Sequence, residues 1–176
     1  MKTFASVLWI IFSVLLIVTA LIGLFTPFEV FVSFVFFLPF LLIAGGISNI
    51  AYYFSFKELN GANLLLMDGI LNLIFAFIFI ALGIDFASLV TIYVFAFMVA
   101  FKGILGISYA LELKKTGISS WIYSFIWAIL SILIAIIFIA MPSLAGITIG
   151  IMISLLVFFF ALASLLTFFG VKKVFS

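Results

Sequence analysis

The sequence predicts an all-α membrane protein of six transmembrane helices, arranged as three tandem two-helix repeats of about 58 residues around a pseudo-threefold axis along the membrane normal. Three observations lead there. Hydrophobic residues make up 70% of the chain and charged residues 7%, more apolar surface than a soluble domain of 176 residues could hide. The apolar residues fall into six runs separated by turn signals, and side chains of matching character recur at one spacing.

In chain order the spans are expected near residues 4–25, 30–53, 64–83, 86–111, 121–141 and 144–170. Each reaches the roughly 20 residues that cross a hydrocarbon layer of about 30 Å. The first follows Lys2, but its apolar run is too long for a signal-peptide core and no small-x-small site follows it, so no cleavage is expected. The links Thr26-Pro27-Phe28, Gly83-Ile84-Asp85 and Pro142-Ser143 are very short, so each joins antiparallel neighbours. The links at 55–63 and 112–120 are longer, polar and contain Gly61 or Gly117. The whole chain therefore reads as one polytopic domain, 1–176, with repeats 1–57, 58–115 and 116–176.

The repeat rests on four columns. Lys57, Lys115 and Lys173 are 58 residues apart, and the same shift aligns Gly45, Gly103 and Ala161, then Ser48, Gly106 and Ser164, then the turn residues Pro27, Asp85 and Ser143. The small pairs lie three residues apart on one helix face, where they let a neighbouring backbone approach closely. Gly146, Gly150 and Ser154 add a small-residue ladder that could pack internally or against a second subunit. Pro39 removes one helical hydrogen bond and is expected to kink or loosen the second span.

Orientation follows from charge. Lys2, Lys57, Lys114, Lys115, Lys172 and Lys173 all fall on one side of a six-span topology, so both termini are expected in the cytoplasm and the protein in the inner, cytoplasmic membrane. Trp9, Trp121, Trp127 and the tyrosines Tyr52, Tyr53, Tyr109 and Tyr123 lie towards the same side, as an interfacial belt does.

Two charges stand inside the spans. Asp68 and Lys102 fall at nearly equal depth on either side of the turn near Ile84, and the other repeats carry Ile10, Ile126, Ala44 and Phe160 in their places. Lys102 lies about 40° around its helix from Gly106. An Asp68 to Lys102 ion pair fixing the third and fourth helices is the first reading, with independent interfacial snorkelling and a proton or ion pathway as alternatives. On the outer side Asp85 is placed as an N-cap and Glu29 in a first turn, both serving free backbone N–H groups and the helix dipole. Carboxylates take up protons in strong acid, so the pair is also a candidate acid sensor.

The repeated unit resembles a known family. A helix ending at a proline turn (Leu24-Phe25-Thr26-Pro27, and Ala140-Met141-Pro142-Ser143), then a helix with a small-residue pair and an inner lysine, looks like the HdeD-like acid-resistance membrane proteins. The closing stretch ALASLLTFFGVKK, residues 161–173, is similar to the end of that family's last helix, and the second unit departs from the pattern with Leu82-Gly83. The resemblance spans nearly the whole chain. It implies a small six-span inner-membrane protein associated with acid tolerance, and it brings no catalytic residues.

Enzymatic chemistry has little to draw on. The chain has neither His nor Cys, so an imidazole base, a thiol nucleophile and a His/Cys metal set are excluded, and no cofactor or metal is expected. The lysines are dispersed as inner-side anchors, which argues against nucleic acid. The expected partners are the lipid bilayer and either a second copy or another membrane protein. A non-enzymatic role in acid stress or membrane permeability leads; a small transporter or channel, or an accessory subunit of a membrane complex, is the alternative.

Overall fold

The computed structural model describes residues 2–58 and 61–174, with side chains over 7–58 and 61–168. Lys2, Lys172 and Lys173, three of the lysines behind the expected orientation, fall outside the described side chains, as does one member of the lysine column. Among the described residues all regular structure is helical: α1 (Lys2–Phe25), α2 (Pro27–Phe56), α3 (Ala62–Lys115), α4 (Trp121–Ala140) and α5 (Pro142–Val174). Five helices are long and apolar enough to cross a membrane, which gives the chain the character of a multi-pass membrane protein. Large apolar side chains such as Phe12, Phe77, Phe97, Tyr123 and Leu156 point outward along them, as a lipid-facing surface requires.

The longest element is not one rod. Gly83, inside α3, has φ 82° and ψ 178°, a region that only glycine enters readily. The ring centroids of Phe79 and Phe86 are 6.4 Å apart, whereas seven residues on an unbroken helix would separate them by about 10.5 Å. The chain bends sharply at Gly83, where the sequence places its second tight turn, dividing α3 into segments α3a (62–82) and α3b (84–115). The other two tight turns place Pro27 and Pro142 at the first position of α2 and α5. Proline suits that position because its missing N–H would have no helical partner there. By contrast, α2 continues through Pro39, although the Val35 carbonyl loses its helical donor.

Contacts divide the chain into two compact units, Met1–Phe31 with Gly146–Ser176, and Val32–Ala145. In the first, α1 and α5 run antiparallel, with Gly23 against Ser154 and Ser13 against Ser164. In the second, α2 packs antiparallel on α3a, with Gly46 against Gly69, and α3b packs antiparallel on α4, with Gly103 against Ala128.

Small residues at seven-residue spacing build these seams. The buried positions are Ser13 and Ala20 on α1, Pro39 and Gly46 on α2, and Ala62, Gly69 and Ala76 on α3a. They continue with Ala96, Gly103 and Ala110 on α3b, Ala128 and Ala135 on α4, and Ser154 and Ala161 on α5. A seven-residue repeat keeps one stripe of each helix facing its partner, and small side chains on it bring the two backbones into van der Waals contact. In lipid, where apolar burial gives no drive, that contact holds the helices together.

Candidate functional site

The seam between α2 and α3a carries the polar cluster of the second unit. Gly46 and Gly69 face each other so closely that a Cβ on either would lie 2.9 Å from the other's carbonyl oxygen. Next to this contact, Asn49 Nδ2 donates to Asp68 Oδ2 at 2.5 Å, and Asn72 Nδ2 donates to the same oxygen at 3.3 Å. The first bond joins two helices, and the second joins neighbouring turns of α3a. Both donors converge on Oδ2, so among the described residues Oδ1 receives no hydrogen bond.

The Asp68 carboxylate is thus turned to α2, and no ion pair within the chain joins it to Lys102 among the described residues. The reason lies in the neighbouring glycines. Gly69 holds its face of α3a against α2, which brings Asp68 to Asn49. Gly103 holds its face of α3b against Ala128 and Ile132 of α4, leaving Lys102 on the exposed side. Each charge follows a different helix partner.

The equivalent place on the seam between α1 and α5 holds hydroxyls. Ser13 Oγ and Ser164 Oγ are 3.1 Å apart, and Trp9 Nε1 donates to the Ser164 carbonyl at 3.3 Å. On the seam between α3b and α4 that place holds Gly106, whose Cβ would lie 2.9 Å from that of Ala128. Asn49, Gly106 and Ser164 each stand three residues past the buried small residue of their helix, Gly46, Gly103 and Ala161.

This corrects the register of the first repeat. Gly45 has nothing within 4 Å of where a Cβ would be, and Gly46 makes the close contact instead. The packing column is therefore Gly46, Gly103 and Ala161, followed by Asn49, Gly106 and Ser164, with Ser48 outside it. The corresponding helix starts are Pro27, Ile84 and Pro142, each nineteen residues ahead of its small residue. A uniform shift of 58 pairs Gly45 with Gly103 because the doublet Gly45-Gly46 offers a small residue in either frame.

The ladder on α5 is seated inside the first unit. A Cβ on Gly146 would lie 3.1 Å from Phe31 Cδ1, and one on Gly150 only 1.8 Å from the Pro27 carbonyl oxygen. Ser154 is buried, and its hydroxyl donates to the Gly150 carbonyl at 2.9 Å.

Neither Glu29 nor Asp85 joins a network among the described residues. Glu29 is exposed in the first turn of α2, near the dipole as expected. Asp85 is the second residue past Gly83, and no capping bond from its carboxylate is found, since it already lies within the turn it was expected to cap. Near Gly83 the seam between α2 and α3a opens into a shallow apolar pocket of about 340 Å³ lined by Val35, Pro39, Phe40, Phe79 and Ile80.

Asn49 is the residue that sequence reasoning missed. Its signal was its place three residues past a small residue of the seven-residue stripe, which puts it on the seam.

The family described as a short repeat of unknown function (DUF308) matches this chain three times, over residues 11–81, 84–140 and 126–176. The second match begins one residue past Gly83 and ends at the last residue of α4, so it coincides with the antiparallel pair α3b and α4. No curated protein and no solved structure matches the chain. Its matches cover most of the length, and the chain belongs to the DUF308 family of short repeats of unknown function.

Proposed function

We propose that the protein is a six-span, non-enzymatic component of the inner membrane, built from three related helix pairs, with both termini in the cytoplasm and a role in acid tolerance or membrane permeability. The observation that carries this reading is the set of three seams closed by small residues at seven-residue spacing, which turns the large apolar side chains outward to lipid. The bend at Gly83 supports the sixth span by dividing α3, and the three family matches support the repeat. The resemblance to the HdeD-like proteins supports the acid-stress role.

Topology and role are tested separately. A cysteine introduced at Ser143 should react with an external impermeant thiol reagent and one at Thr116 should not; the reverse pattern overturns the orientation. Liposomes containing the purified protein should leak protons in strong acid no faster than protein-free liposomes, while cells lacking it should survive acid less well. Unchanged survival removes the acid-tolerance reading.

The polar cluster of Asn49, Asp68 and Asn72 favours a second reading, a small transporter or channel. A proton flux that depends on the protein and disappears with Asp68→Leu would replace the first reading with this one.

A further inference from the structure

Asp68 and Lys102 are the acid and the base that lie within the spans of the second unit, and both are exposed. Asp68 keeps one carboxylate oxygen without a donor, and Lys102 has no hydrogen-bond or ion-pair partner among the described residues. Charged groups at membrane depth ordinarily pair with one another. Within this chain no such pair forms among the described residues, where α3a gives its glycine face to α2 and α3b gives its own to α4.

Their depths nevertheless differ by only four residues. Under the six-span reading, on which this inference rests, Asp68 lies fifteen residues before Gly83 and Lys102 nineteen after it, about 22 Å and 28 Å along their helices. Side chains tilt towards the N-terminus of their own helix. Asp68 therefore leans away from Gly83, while the longer Lys102 leans back towards it, and the two charged ends approach one level.

We propose that Asp68 and Lys102 look out on one lipid-facing side of the second unit and that this side binds a second copy of the chain, Asp68 of each protomer pairing with Lys102 of its partner. A twofold axis along the membrane normal relates points of equal depth, and an isologous interface of this kind forms both pairs at once. The charge complementarity selects a second copy as the occupant: the second unit exposes one acid with an oxygen that receives no hydrogen bond and one base without a partner among the described residues, so two copies that bring these positions together satisfy each other. The Asn49 and Asn72 amides hold Asp68 Oδ2, and Oδ1, which receives no hydrogen bond among the described residues, is left for the partner's lysine.

The experiment is rescue in trans. The chain has no native cysteine, so a single cysteine introduced at Ser119 labels it uniquely, and energy transfer between donor-labelled and acceptor-labelled copies in lipid vesicles reads association. Asp68→Lys alone and Lys102→Asp alone should each associate at least tenfold more weakly than the unaltered protein. An equimolar mixture of the two should recover the loss, because each protomer then meets its opposite charges on the other. Asp68→Asn and Lys102→Met, which reverse no charge, should weaken association in the same direction while keeping helical content. No association of the unaltered protein, or no recovery on mixing, overturns the proposal. Recovery only when both substitutions are in one chain assigns the pair to a single protomer and overturns it too. The Ser143 and Thr116 labelling pattern tests the six-span reading independently, so failure of either is told apart from failure of the other.

Discussion

Gly150 lies so close to Pro27 that a Cβ on it would sit 1.8 Å from the Pro27 carbonyl oxygen. That oxygen is backbone at the first residue of α2 and cannot turn aside as a side chain can. Gly150→Ala must therefore push α5 away from the start of α2, at about 1 to 3 kcal/mol or more for overpacking. Gly146→Ala meets the side-chain rings of Phe28 and Phe31 at 3.1 to 3.4 Å rather than backbone at 1.8 Å, and should cost less. Unfolding of the two purified variants in detergent checks the order; equal stability would show that the helix start gives way.

The adjacent glycines of α2 make a sharper pair. Gly46→Ala places a Cβ 2.9 Å from the Gly69 carbonyl oxygen, whereas Gly45→Ala meets nothing within 4 Å. Alanine also forms helix better than glycine by up to about 1 kcal/mol. Gly45→Ala should leave stability unchanged or raise it, and Gly46→Ala should lower it. The opposite order, measured the same way, would restore the uniform 58-residue register.

That register shows how far the sequence could be read. The long apolar helices, the three tight turns and the break before Ile84 were legible because lipid demands long apolar stretches and turns demand proline or glycine. The seams were half legible. Gly103, Gly106, Ala161 and Ser164 stood out as small pairs, but the contact that uses Gly46 rather than Gly45 depends on which face meets α3a. The seven-residue stripe from Ala96 to Ala110 was present too, obscured by the many alanines and glycines of the chain. The partner of Asp68 was not legible from depth alone, because equal depth allows Lys102 while the glycine face selects Asn49.

At Gly83 the prediction concerns the backbone. With φ 82° and ψ 178°, alanine there is strained by about 1 to 3 kcal/mol, although no atom would obstruct its Cβ. Gly83→Ala should lower stability, and Gly83→Asn should do no better, since this is not the left-handed helical region that asparagine tolerates. Full stability of Gly83→Ala would mean that the bend relaxes to another conformation.

The two asparagines on Asp68 should differ. Asn49 joins α2 to α3a, while Asn72 bonds within α3a, four residues along. Interhelical hydrogen bonds in membranes contribute about 0.6 to 1.7 kcal/mol. Asn49→Leu should lose a value in that range, and Asn72→Leu should lose less because its bond spans one helical turn. Asp68→Asn should retain most of the stability, as an amide oxygen still accepts from Asn49. Unfolding free energies of the three variants, compared in one detergent, test this order.

Glu29 and Asp85 bear directly on the proposed role in acid tolerance. A sensor must connect its protonation to something that moves, and Glu29 and Asp85 are exposed carboxylates with no hydrogen bond to another side chain among the described residues. What each charge offers is an attraction to a helix N-terminus, typically small at an exposed position. Glutamine and asparagine remove that attraction permanently. Glu29→Gln with Asp85→Asn should therefore give cells whose acid survival equals that of cells carrying the unaltered protein. A clear loss of survival, with the protein still present in the membrane at normal amount, would return the sensing role to these two carboxylates and require a partner that reads their charge.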